Sequence, residues 1–72
     1  MTDLDARLLA AHEAGETWAL VTLYREAADT APDDVSRAFY LTHAHVFALE
    51  TGHPDAPTLR AALIAMGRET PL

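Results

Sequence analysis

The stretch from Val35 to Thr51 is apolar on nearly every side of the helix that it would form. Between Ala38 and Leu49, only Thr42, His43 and His45 interrupt the apolar side chains. A helix at a protein surface keeps a polar face toward water, whereas a helix that is apolar all round is buried in a core or covered by a partner. This stretch therefore predicts a central helix that the rest of the chain, or a partner, must cover.

The size of the chain limits how that covering can be achieved. The sequence has 72 residues and no cysteine. A domain of this size buries only about 60% of the surface that its unfolded chain exposes, and natural folds below about 80 residues commonly add disulfides, a metal or self-association. Because disulfides are excluded, we expect a single domain over residues 1–72 that forms a homo-oligomer or holds a metal.

The charge balance excludes several classes of partner. The formal net charge is −6, with eleven acidic residues against five basic ones, all arginine. A phosphate backbone or an anionic membrane would be repelled, so we expect neither nucleic acid nor a membrane as partner. The N-terminal residues lack the features of a secretory signal, and no apolar run reaches the ~20 residues of a membrane span. A cytoplasmic location is the expectation that follows.

Two helices are predicted before Pro32. Thr2 or Asp3 can cap the first, and Gly15 ends it because glycine readily adopts the positive φ found just past a helix. The second runs from about Thr17 to Thr30, where its apolar side chains recur at helical spacing. Because so few residues link the two helices, they must lie antiparallel as a hairpin.

Two more helices are predicted after Pro32, because proline cannot continue a helix. Asp33 or Asp34 can cap the central helix, and Gly52 ends it. Asp55 is a candidate cap for a fourth helix that extends to Gly67. No stretch alternates as a strand would. We therefore expect an all-α fold of four helices in two antiparallel hairpins, arranged as a stack or a small bundle.

The first half resembles a tetratricopeptide repeat, because Gly15, Tyr24, Ala27 and Pro32 stand at the spacing of that motif's turn glycine, aromatic residue, alanine and closing proline. In the second half, Gly52 comes later than the motif would place it. The resemblance implies that the two hairpins form a right-handed stack, which binds a protein or peptide in a groove lined by the first helix of each pair. By position, the first and third helices would contribute Leu9, His12, Glu13, Phe39, His43, Val46 and Phe47.

The histidines offer an alternative reading as a metal site. His43 and His45 point about 200° apart on a helix, so they cannot both bind one ion. His43 and Glu50 lie two turns apart, and a histidine from elsewhere, His12 or His53, could complete a site for zinc or another divalent ion. The alternative is a structural role without a metal, in which each histidine is hydrogen-bonded within the core or at a helix contact.

Enzymatic chemistry has no support in the sequence. Ser36 is the single serine and is not in a nucleophile-elbow setting, and three isolated glycines form no phosphate loop. We therefore predict no enzyme and no cofactor. The function expected is a protein–protein interaction module that associates with itself. The alternatives are a small metal-binding protein and an acidic regulator that occupies a basic surface of a larger protein.

Overall fold

The structure, a computed structural model, describes residues 3–67 and confirms the expected all-α fold. Four helices form over this range, with no strand among them: α1 Asp3–Ala14, α2 Thr17–Asp29, α3 Asp34–Thr51 and α4 Ala56–Ala65. Thr2, a candidate cap of the first helix, lies outside the described residues. Over the same range, no helix is both long and apolar enough to cross a membrane.

As expected, α1 and α3 end at glycines, and an aspartate caps the start of α3. Gly15 and Gly52 have φ values of 68° and 65°, in the left-handed region that favours glycine after a helix. Asp33 caps α3, because its carboxylate accepts the backbone N–H of Ser36 at 2.7 Å. This backbone hydrogen bond, assisted by the Ser36 side chain, holds the pKa of Asp33 below its ordinary value.

Asp55 differs from the expectation. It stands at the N-cap position of α4, but its side chain makes no capping hydrogen bond. Its Oδ2 instead accepts a hydrogen bond of 2.7 Å from Nη1 of Arg25, on α2. The carboxylate is therefore turned toward a cation, and it ties the α3–α4 turn to α2.

The helices form a single layer in which each packs on its neighbours in sequence. Close backbone contacts join α1 to α2, α2 to α3 and α3 to α4, and no other pair of helices within residues 3–67 makes them. The molecule measures 35 × 29 × 13 Å, so its shortest dimension is less than half of either of the others. A layer this thin exposes helix surface on both of its sides.

The core lies between α2, α3 and the first turns of α4. Val21, Ala44, Ala48 and Leu59 form one cluster, and the two alanines and Val21 are 0% exposed. A second cluster joins α1 to α2: Ala11, Leu20 and Leu23. Apart from His45, the buried residues of α3 are all alanines, so this helix packs closely on α2. Leu41 and Phe47 are partly buried against the core, whereas Val35, Phe39, Val46 and Leu49 are exposed.

We expect Ala44→Leu to lower the free energy of unfolding by about 1–3 kcal/mol, because a fully buried alanine leaves no room for three more carbons. Urea denaturation followed by circular dichroism measures the change. Ala6→Leu, the same substitution at an exposed position of α1, should stay within about 0.5 kcal/mol of the parent. Equal stability of the two variants would contradict the close α2–α3 packing.

Candidate functional site

Tyr24 is surrounded by four other aromatic or imidazole rings, and the five rings come from three helices. We call them the Tyr24 cluster: His12 from α1, Tyr24 from α2, and Tyr40, His43 and Phe47 from α3. The ring centroids of these partners lie 5.8, 6.3, 5.2 and 5.8 Å from that of Tyr24, in the order His12, Tyr40, His43, Phe47. Such spacings are typical of stabilising aromatic pairs.

The cluster links α1 to α3, two helices without close backbone contact. Nε2 of His12 and the hydroxyl of Tyr24 share a hydrogen bond of 2.8 Å. The His12 ring also lies 5.9 Å from that of Phe47. Partial burial, and secondarily the charge of a neighbouring Tyr40 phenolate, raise the pKa of Tyr24 above 10.0. The Tyr24 hydroxyl therefore stays protonated at neutral pH.

The structure brings together only part of the groove that the tetratricopeptide resemblance implies. The side chains that meet in the Tyr24 cluster are His12, His43 and Phe47. The remaining predicted residues are exposed: Leu9, Glu13, Phe39 and Val46. Phe39 touches the edge of the cluster, since its ring centroid lies 4.3 Å from that of His43 and 5.5 Å from that of Tyr40.

A row of apolar side chains runs along the uncovered side of α3. We call it the α3 stripe: Val35, Phe39, Thr42, Val46 and Leu49. Their spacing alternates between four and three residues, which keeps them within an arc of roughly 80° on the helix. The four apolar members are 68, 56, 46 and 62% exposed, in sequence order. This spacing is the signature of a helix-pairing surface.

The sequence predictions include Phe39 and Val46 of the α3 stripe but not Val35 or Leu49. The four–three alternation that groups them was available from the sequence. Because nearly every side of this helix is apolar, the sequence pattern does not separate these residues from the other apolar residues of α3. The tetratricopeptide resemblance also directed attention to α1, where Leu9 is 54% exposed.

The polar groups of the α3 stripe are already hydrogen-bonded within α3. Oγ1 of Thr42 donates to the carbonyl of Ala38 at 2.7 Å. Beside the stripe, Nδ1 of His43 donates to the carbonyl of Phe39 at 2.8 Å. No Asp, Glu, Lys or Arg occurs between residues 38 and 49. The middle of this surface can therefore lose water without leaving a charge or a hydroxyl unpaired.

A groove between α3 and α4 borders the stripe at Leu49. From α4 and its first turn it is lined by Ala56, Pro57, Ala61 and Ile64 together with the charged Arg60, and its volume is about 380 Å³. His45 also lines it, although only 7% of this residue is exposed. The groove extends the apolar surface of α3 onto α4.

The alternative metal ligands are not assembled. Nε2 of His12 is engaged with Tyr24, and Nδ1 of His43 with its own helix. His53 lies in the α3–α4 turn, where its Nδ1 accepts the backbone N–H of Asp55 at 3.0 Å and its ring lies 4.2 Å from that of Trp18. Within residues 3–67, no three or more histidine, aspartate or glutamate side chains group to hold a metal ion.

Comparison with protein-family models, with curated proteins and with solved structures finds no match to this chain. The tetratricopeptide resemblance therefore stays a prediction. The candidate site is argued from geometry: a filled Tyr24 cluster on one side of α3, the exposed α3 stripe on another, and the α3–α4 groove beside it.

We expect Tyr24 to titrate above 10.0 in the folded protein, because burial disfavours its phenolate. The chain has two tyrosines, so a Tyr40→Phe variant leaves Tyr24 as the single phenol. Its phenolate absorbance, followed against pH, should show a midpoint above that of the same variant unfolded in urea. Coincident midpoints would contradict the burial of Tyr24.

The same shift makes a prediction for stability. A raised pKa in the folded state means that the stabilisation is fully present below the unfolded pKa and is lost as the pH rises through the folded pKa. Above pH 10 we therefore expect the melting temperature of the parent to fall more steeply than that of Tyr24→Phe. Parallel decline of the two proteins would show that Tyr24 is not responsible.

Proposed function

We propose that this protein is a non-enzymatic interaction module that associates with itself through the α3 stripe. The observation that carries the proposal is the exposure of Val35, Phe39, Val46 and Leu49 along one side of a helix whose buried side chains are mostly alanines. Scattered apolar residues are ordinary at a surface, but a continuous row is typical of a protein–protein contact.

The shape of the stripe favours a protein partner over a small ligand. A small-molecule site is concave and encloses most of its ligand. The α3 stripe is instead a ridge about 21 Å long, from residue 35 to residue 49 at 1.5 Å per residue. A ridge of this kind is complementary to another helix, which can pack its side chains between those of the stripe.

The position of the charges permits a second copy as the partner, although the two copies repel as wholes. Each copy carries a formal charge of −6, yet residues 38–49 carry no formally charged side chain. Two copies can therefore meet through this surface without placing like charges at its centre. A small domain also gains the buried surface that it lacks when it associates with itself.

We expect the parent protein to form a dimer, as measured by gel filtration with light scattering, and Phe39→Asp to weaken it. A carboxylate in the middle of an apolar interface should cost about 2 kcal/mol or more of association free energy, roughly a 30-fold loss in affinity. Because Phe39 is exposed, the variant should keep its helical circular dichroism.

Leu9→Asp is the matched control, since Leu9 on α1 is as exposed as Phe39, at 54% against 56%. If the α3 stripe carries the association, Leu9→Asp should dimerise like the parent. Equal loss in both variants would favour the groove that the tetratricopeptide resemblance implies. A parent that stays monomeric and folded at high micromolar concentration would overturn the self-association.

Salt gives a second test. Added salt screens the repulsion between two copies of charge −6, so we expect the dimer to tighten as the ionic strength rises. An acidic regulator bound to a basic partner would show the opposite dependence. Analytical ultracentrifugation at low and moderate salt separates the two, and a dimer that weakens with salt would contradict pairing through an uncharged stripe.

A further inference from the structure

We infer that His53 is a pH-sensitive switch in the α3–α4 turn, residues 52–55. In its neutral form the imidazole leaves the carboxylate of Asp55 to Arg25 of α2, and in its protonated form it draws that carboxylate to itself. The switch controls how firmly the turn, and with it the start of α4, is tied to α2. It goes beyond the proposed self-association and does not depend on it.

The residue His53 is held in place by all the elements around it. It is only 8% exposed. Its backbone N–H donates to the carbonyl of Ala48 at 2.9 Å, and its carbonyl accepts the N–H of Ala56 at 3.2 Å. Its ring centroid lies 4.2 Å from that of Trp18 of α2. Because the backbone and the ring are fixed, a change of charge on the ring acts on the groups beside it.

The hydrogen bond at Nδ1 requires the neutral imidazole. The backbone N–H of Asp55 donates to Nδ1 of His53 at 3.0 Å, so Nδ1 carries the lone pair and the proton of the neutral ring is on Nε2. Protonation of the ring places a proton on Nδ1 and makes it a donor. The N–H of Asp55 then loses its acceptor, and two donors face each other.

The carboxylate of Asp55 can accept a hydrogen bond from the protonated ring. Its Oδ2 lies 3.8 Å from Nδ1 of His53 and 2.7 Å from Nη1 of Arg25. A charge-assisted hydrogen bond of this kind has a length of about 2.7–2.9 Å, so Oδ2 must approach Nδ1 by about 1 Å to form it. That movement takes Oδ2 out of its present position against Arg25. The two cations therefore compete for one oxygen.

Charged groups and helix ends act on the His53 ring in opposite directions. Asp55 favours the protonated ring, whereas Arg25, behind it on α2, opposes it. The C-terminal end of α3 favours a cation, and the N-terminal end of α4 disfavours one. The face of Trp18 attracts a cation, and Glu50 in the last turn of α3 is exposed to solvent. Asp55 lies between the imidazole and Arg25, so it carries the coupling between them.

Trp18 reports the charge of His53, because it is the single tryptophan of the chain and its ring packs against the imidazole. Protonated imidazole quenches indole fluorescence, whereas neutral imidazole does so far less. We expect the fluorescence of the full chain to fall as the pH is lowered from about 8 to about 5, the range in which histidine changes charge. His53→Gln should remove this fall. The control His43→Gln, which alters the Tyr24 cluster, should keep it.

The backbone amide of Asp55 gives a second readout that needs no variant. Its NMR resonance should shift with the same pH midpoint as the fluorescence, because protonation of Nδ1 breaks the hydrogen bond of this N–H. Circular dichroism checks that the protein stays helical over the range. Constant fluorescence in the folded protein, or an Asp55 amide that does not follow the fluorescence, would overturn the switch.

Variants of Asp55 and Arg25 test the competition. Asp55→Asn should lower the midpoint by about 0.5 pH unit or more, because the protonated ring loses its carboxylate. Arg25→Gln should raise the midpoint, because the carboxylate is then left to the imidazole. In the Asp55→Asn background, Arg25→Gln should shift the midpoint far less, since the coupling runs through the carboxylate. Glu50→Gln, at an exposed acid of the preceding turn, is the charge control and should shift it less than Asp55→Asn does.

Two results of this series contradict the inference in different ways. A midpoint that Asp55→Asn leaves unchanged, or that it shifts no more than Glu50→Gln does, would remove the role of the Asp55 carboxylate. Equal shifts from Arg25→Gln in both backgrounds would mean that the two cations repel directly, which would overturn the transfer of the carboxylate.

Discussion

The contact of Val21 with Ala44 and Ala48 is the interaction on which the rest of the structure depends. All three side chains are completely buried, and Leu59 of α4 joins them. Because alanines are short, α2 and α3 lie close together and form the most extensive helix contact of the molecule. The packing is dense, but it leaves Val35, Phe39, Val46 and Leu49 of α3 exposed.

The distribution of buried and exposed side chains on α3 differs from that of a typical amphipathic helix. An amphipathic helix buries its large apolar side chains and exposes its small or polar ones, whereas α3 buries alanines and exposes Phe39, Leu49 and two valines. These four side chains are 46–68% exposed, so no helix of the described chain covers them. The free energy still available from burying these side chains is what a partner can gain.

The polar groups around α3 do not oppose the burial of these apolar side chains. The hydroxyl of Thr42 and the imidazole of His43 bond to carbonyls of their own helix, so their desolvation leaves no donor unpaired. On other sides of the layer, polar contacts hold the fold instead: Tyr24 with His12 joins α1 to the cluster, and Arg25 with Asp55 holds the α3–α4 turn. The exposed α3 stripe and these structural contacts thus use different residues.

Local chemistry in the sequence determined the all-α fold, the glycine helix ends and the Asp33 cap, because periodicity and backbone preference act over a few residues. The tetratricopeptide resemblance, carried over by position, put Phe39 and Val46 in a candidate site. Only the tertiary structure decided which side of α3 is covered, since that depends on where α2 and α4 pack. For the same reason it alone could turn Asp55 toward Arg25, gather His12, His43 and Phe47 around Tyr24, and leave Val35 and Leu49 exposed.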